Sequence, residues 1–151
     1  QAAGLFGHYV FRKISKKHSK EMFYSYLKAI DAEKEAELFW QEKAVKMNEW
    51  FRPCEHDVKT VVCSASPVFQ IKPICDKLGV DLLVATRMNP STGLIKGKNC
   101  KNTEKVRRLE EEADGYEFRD VYTDNLISDG PILELATRNK FHIQNGKRSR
   151  I

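Results

Sequence analysis

After Pro53 the chain alternates short β-branched runs with amphipathic stretches, and that order leaves few folds open. KTVVCSAS is a β-branched run closing in small residues, which suits a parallel strand buried on both faces. PVFQIKPICDKLG follows as a helix closed by Gly79, and its internal Pro73 predicts a kink or a first-turn restart. DLLVATRM reads as a second strand, NPSTGLIKG as a hairpin, and NTEKVRRLEEEA as a helix capped by Asn102 or Thr103. YEFRDVYTD, SDGPILELATRN and KFHIQ then predict a strand, a helix and a last strand. This βαβα order predicts an α/β fold built on a doubly wound, Rossmann-like parallel sheet.

Upstream of Pro53 the periodicity is helical. Met22, Phe23, Tyr26, Leu27 and Ile30 recur at three-to-four-residue steps, with Ser19 as the predicted cap. Ala36, Phe39, Trp40, Ala44, Met47 and Trp50 continue the pattern, and no Gly or Pro interrupts it between Gly7 and Pro53. This half predicts two or three helices in a small bundle. The expected division is an all-helical unit over residues 1–52 and an α/β core over residues 53–151.

With 151 residues, 41% hydrophobic and 31% charged, the chain suits one compact domain carrying a small appended module. No window approaches the ~18 consecutive apolar residues of a membrane span, so no membrane partner is expected. QAAGLFGHYVFRK is interrupted by His8, Arg12 and Lys13 and shows no secretory cleavage pattern; its first residue is Gln, which suggests a trimmed or incomplete N-terminus. The net charge of +5 permits an anionic partner. No aromatic-and-basic recognition motif accompanies it, so nucleic acid is not expected. The basic tail GKRSRI reads as a frayed end. Cys54, Cys63, Cys75 and Cys100 lie far apart, as reduced thiols of a cytoplasmic protein do. Cys54 and His56 are close, but no second pair stands at zinc-site spacing.

In doubly wound sheets, ligands bind beyond the carboxyl ends of the strands. One predicted strand closes at Cys63-Ser64-Ala65-Ser66, another at Thr123-Asp124-Asn125, and Lys105 falls in the first turns of a helix. A hydroxyl, an ammonium and the carboxylates of Asp124 and Asp129 are offered to one rim, a set that suits a phosphate and a hard cation.

Three stretches, VVCSASPVFQIKPICDKLGV, TGLIKGKNCKNTEKVRRLEE and VYTDNLISDGPILELA, resemble the haloacid dehalogenase-like phosphatases, and among them the phosphoserine phosphatase-like branch with an early helical cap. The resemblance covers roughly residues 59–141, and the helical stretch stands where that branch places its cap. It implies that the Ser64 hydroxyl and neighbouring backbone N–H groups, including that of Ala65, hold phosphoryl oxygens. It also implies that Lys105 offsets charge on the phosphoryl group, with Lys101 as a nearby competitor, and that Asp124 and Asp129 bind Mg²⁺. Thr123 stands where many relatives have Gly.

The resemblance further implies a D-x-D strand upstream of the cap, whose first Asp becomes phosphorylated and whose second is general acid and base. No D-x-D occurs in the chain, and Asp31, the one Asp before Pro53, lies in a helical setting. A segment of roughly 20–30 residues carrying that strand is therefore expected before Gln1, placed between the strands ending at Ser64 and Asp124. The expected function is Mg²⁺-dependent hydrolysis of a small phosphorylated metabolite, with the present chain inactive alone. The alternative is a catalytically inactive relative that binds a phosphorylated ligand or a protein. Substrate identity and oligomeric state are left open.

Overall fold

The computed structural model describes residues 15–44 and 58–151. The expectations for His8, Arg12, Lys13, Met47, Trp50, Cys54, His56 and the boundary at Arg52-Pro53 lie outside the described residues.

Helix α1 (Lys16–Phe23) starts from Ser15, whose hydroxyl accepts from the His18 N–H at 3.1 Å, so the cap is Ser15 and not Ser19. It tightens into a 3-10 segment at Tyr24–Ala29. Helix α2 (Ala32–Lys43) follows, with Asp31 as N-cap accepting from the Lys34 N–H at 3.2 Å. Asp31 is thus a helix start in extended backbone, not a helical residue.

Strand β1 (Val61–Pro67), helix α3 (Val68–Lys77) and strand β2 (Leu82–Thr86) form a βαβ unit, with β1 and β2 parallel. Helix α3 runs unbroken through Pro73, so a first-turn restart does not occur; the ring leaves one i→i−4 bond unmade. Helix α4 (Thr103–Glu112), strand β3 (Asp120–Thr123), helix α5 (Gly130–Leu133) and strand β4 (Asn139–Gln144) repeat the pattern, and β3 and β4 are parallel. The chain is a mixed α/β protein of Rossmann-like type.

The hairpin expected at residues 89–97 is present in short form: Met88 and Ile95 make an antiparallel bridge, flanked by the Asn89 N–H on the Leu94 carbonyl at 2.9 Å and the Lys96 N–H on the Arg87 carbonyl at 2.7 Å, around a turn shaped by the Asn89 side chain. Two expectations need correction. The helix predicted over residues 128–139 stops at Leu133: Thr137 and Arg138 instead give their N–H groups to the carbonyls of Phe118 and Arg119, which starts β4. The tail is not frayed. Lys147–Arg150 form β5, antiparallel to β4, after a turn in which Asn145 (φ 51°) and Gly146 (φ 73°) take the left-handed backbone of a two-residue hairpin.

Among the described residues β1 pairs with β2, and β3 with β4 and β5, in two separate sheets. The core between them gathers Val84, Cys100, Leu109 and Ile132, with Val61, Cys63 and Val121 packed alongside. A second cluster, Leu27, Ala32, Met88 and Ile95, fixes the helical segment to the loop after β2. Polar contacts reinforce that seat: the Ile95 N–H donates to Glu21 at 2.9 Å, Lys17 donates to the Gly97 carbonyl at 3.0 Å, and the Trp40 indole donates to the Gln70 carbonyl at 2.7 Å. No helix among the described residues is long and apolar enough to cross a membrane.

Gly93 makes this seat possible. Its φ is +72°, and an added Cβ would meet the Tyr24 carbonyl oxygen and, at 2.8 Å, its carbon. Gly93→Ala is expected to lower stability by about 1–3 kcal/mol, from backbone strain alone, with the clash adding to it. Denaturant unfolding measures this; an unchanged midpoint would show that the loop and the helical segment do not meet here.

Candidate functional site

Two parallel strands end at the same rim, and each delivers different chemistry. At the end of β1 the ladder to β2 slips: Ser64 pairs with Ala85, but Pro67 pairs with Thr86, so Ala65 and Ser66 bulge out of register. The Ser64 hydroxyl accepts from the Ser66 N–H at 3.1 Å and shapes this bulge. Behind it, Thr86 is fully buried; its Oγ1 lies 2.7 Å from the Ala65 carbonyl and 2.8 Å from Asn99 Oδ1, and accepts from the Cys100 N–H at 3.1 Å. Lys20, reaching from α1, donates to the same Ala65 carbonyl and to Asn99 Oδ1 at 3.0 Å. Desolvation by burial pulls the Lys20 ammonium below its ordinary pKa.

At the end of β3 the chain turns through Asp124-Asn125 into α5. The Asp129 N–H donates to the Asn125 carbonyl at 3.0 Å, which folds the loop back toward α4. Asp129 occupies the N-cap position of α5 yet makes no side-chain cap bond. Its carboxylate instead takes the Lys105 ammonium on Oδ1 at 2.7 Å and the Thr123 hydroxyl on Oδ2 at 2.8 Å. The side chains of this ion pair are only 8% and 11% exposed, so each charge depends on the other. Asp124 is different: it is exposed, and no hydrogen bond or ion pair engages it among the described residues.

Ser64, Lys105, Asp124 and Asp129 all line one cavity of about 1190 Å³ between β1 and β3. Its walls carry Val61 and Cys63 on one side, Val121 and Thr123 on the other. Ala65 and Lys101 are not on that lining. Sequence reasoning treated Thr123 as a departure from a family pattern; the structure shows its hydroxyl supporting Asp129 and accepting from the Asn125 N–H at 3.0 Å. It missed Lys20, Thr86 and Asn99. Nothing local to those residues announces a partner 45 or 79 positions away.

Chemically the arrangement presents a fixed positive charge, a bulged strand end with a hydroxyl, and an unpaired carboxylate to one space. Oxygen donors of this kind suit Mg²⁺, which needs only one or two carboxylates beside waters and phosphate. Asp124 is the carboxylate free to coordinate directly, while both oxygens of Asp129 already accept hydrogen bonds. Among the described residues no group of three or more His, Cys, Asp or Glu side chains could by itself hold a metal.

Residues 1–134 match the family described as haloacid dehalogenase-like hydrolase. Protein CicA of Caulobacter vibrioides, in strains NA1000 and ATCC 19089 alike, is 35% identical over 96 aligned residues that cover 59% of this chain. The chain spans 42% of the length of that relative. A crystal structure of a protein of unknown function from Bordetella pertussis Tohama I superposes with a TM-score of 0.64 at 21% identity, over 90% of this chain and 70% of the other, and shares the fold.

Proposed function

The chain belongs to the haloacid dehalogenase-like hydrolase family, and from that premise we propose that it belongs to a Mg²⁺-dependent phosphomonoester hydrolase. The observation that carries the reading is the buried Lys105–Asp129 pair on a cavity wall that also presents Ser64 and the unpaired Asp124. A structural ion pair has no need of a second, solvent-facing carboxylate or a bulged strand end beside it.

Lys105, oriented by Asp129, stabilises negative charge that builds on the transferring phosphoryl group. The Ser64 hydroxyl and the N–H groups of the Ala65 bulge receive phosphoryl oxygens. Asp124, with Asp129 behind it, would hold Mg²⁺, which when bound neutralises phosphate charge and fixes its orientation. The nucleophile is an Asp carried on a strand between β1 and β3, from outside the described residues; its attack on phosphorus forms an aspartyl-phosphate that water then cleaves. The helical segment, seated by Lys17, Lys20 and Glu21, covers this rim as a cap in the manner of the phosphoserine phosphatase-like branch and selects a small phosphorylated metabolite.

A second reading, a phospho-ligand binding module without turnover, is favoured by one observation: the described residues lack a third acidic ligand beside Asp124 and Asp129. One experiment separates the two. A protein carrying the proposed nucleophile strand is expected to hydrolyse an aryl phosphate with Mg²⁺, to stop on chelation and to recover on readdition. Phosphate binding with no turnover in any metal would leave the binding module.

A further inference from the structure

One ammonium of the helical segment reaches past the loop that seats it and into the end of β1. Lys17 and Glu21, on the same helix α1, hold the chain at residues 95–97: Lys17 donates to the Gly97 carbonyl, and the Ile95 N–H donates to Glu21. Lys20 stands between them in sequence. Its ammonium nonetheless donates to the Ala65 carbonyl in the bulge and, at 3.0 Å, to Asn99 Oδ1 in the loop before α4. The Thr86 hydroxyl lies beside the same two oxygens, 2.7 Å from that of Ala65 and 2.8 Å from that of Asn99. A hydroxyl has one proton to give, whereas an ammonium has three. One of the two acceptors therefore depends on Lys20.

The Ala65 carbonyl belongs to the same peptide unit as the Ser66 N–H, and in a planar trans peptide the two point in opposite directions. Lys20 and Thr86 hold the carbonyl end, while the N–H end donates to the Ser64 hydroxyl at 3.1 Å. Fixing one end aims the other. A cation at the carbonyl also polarises the unit and strengthens its N–H as a donor. Because the Ser64 oxygen accepts there, its own proton is left to give to a phosphoryl oxygen. We propose that Lys20 is a positioning residue, acting through the peptide unit that joins Ala65 to Ser66 to orient the Ser64 hydroxyl. The end of β1 then keeps its shape only while the helical segment is seated. The hold on Ser64 stands on geometry alone; its effect on turnover rests on the phosphatase reading.

Two measurements test these parts separately. The first records the backbone amide resonances of the full chain, labelled with nitrogen-15, with and without Lys20→Met. The Ser66 amide should shift strongly, while that of Phe141, on β4, stays in place. A change confined to the Ile95 and Gly97 amides, with Ser66 unmoved, would show that Lys20 only seats the segment and would overturn the proposal. The second measures aryl-phosphate turnover with Mg²⁺ in a protein carrying the proposed nucleophile strand. Lys20→Met should lower kcat about tenfold or more and leave KM within about threefold. In a Ser64→Ala background the same substitution should cost less than about threefold, since the group it orients is already gone. The full loss in that background, or a change in KM alone, would equally overturn it. Absence of turnover in the parent protein would defeat the phosphatase reading and leave the Ser66 resonance to decide the role of Lys20. Lys20→Gln removes the charge but keeps a polar tip in the half-buried seat, and is read in the same way if Lys20→Met does not fold.

Discussion

Lys105→Met is expected to lower folding stability by about 3 kcal/mol, the low end of what breaking a buried ion pair costs. The substitution leaves the Asp129 carboxylate 11% exposed, holding the Thr123 hydroxyl and a weak contact to Ser128 but no counter-charge. The low end applies because the pair borders a cavity of about 1190 Å³, through which water can solvate part of the orphaned charge. Methionine keeps the length and most of the volume of lysine, so packing at this position changes little. The double variant Lys105→Met, Asp129→Leu should regain most of the loss, since removing both charges removes the desolvation penalty as well. Denaturant unfolding of the two single variants and the double gives the coupling directly. If Lys105→Met unfolds within about 0.5 kcal/mol of the wild type, the pair is not buried as described. Stability would return in the double variant without activity, which separates the folding role of the pair from the proposed chemical role of its ammonium.

The second large effect falls on function alone. In a protein carrying the proposed nucleophile strand, Asp124→Asn should reduce aryl-phosphate turnover by about a thousandfold or more, equivalent to roughly 4 kcal/mol of barrier. Stability should stay within about 0.5 kcal/mol of the wild type, because Asp124 is exposed and contacts no partner that its loss would strand. The amide preserves shape and removes the charge that would meet the metal. Raised Mg²⁺ should recover part of the rate if the defect is in metal binding. Turnover that survives within about tenfold would move the metal to other residues and sink the site assignment. The contrast between the two variants is diagnostic. On the proposed reading Lys105 is both structural and chemical, whereas Asp124 has chemistry only, and a merely structural loop would show neither pattern.

The comparisons place the chain in a hydrolase family and in a known fold, but activity comes from a particular set of side chains. Thr123 illustrates the difference. Read as a letter, it is an exception to the glycine that many relatives carry there. In three dimensions its hydroxyl is a donor to Asp129 and an acceptor for Asn125, so the exception supports the acidic loop. The tail is a second case. Its string of cations looks like solvated chain, yet Arg148 lies over the Phe141 ring at 5.3 Å and β5 pairs residue by residue with β4. An Asn-Gly pair between KFHIQ and KRSR was the overlooked signal.

Much of the architecture was legible beforehand because secondary structure is written in short-range patterns. The small-residue close of β1, the periodicity of α3 and α4, and the placing of Ser64, Lys105, Asp124 and Asp129 at strand ends and a helix start all depend on residues within a turn or two. The α5 helix was overdrawn because its pattern continues past Leu133, while the carbonyls of Phe118 and Arg119 take the N–H groups of Thr137 and Arg138. Only the folded chain decides such contests. It alone pairs Lys105 with Asp129 across 24 positions, brings Lys20 of α1 to the Ala65 carbonyl, and gathers Cys63 and Cys100 into one apolar cluster. A local pattern states which backbone shape costs least. Which buried charge meets which partner depends on how the layers close over each other, and a carboxylate deprived of water takes the nearest donor that packing supplies.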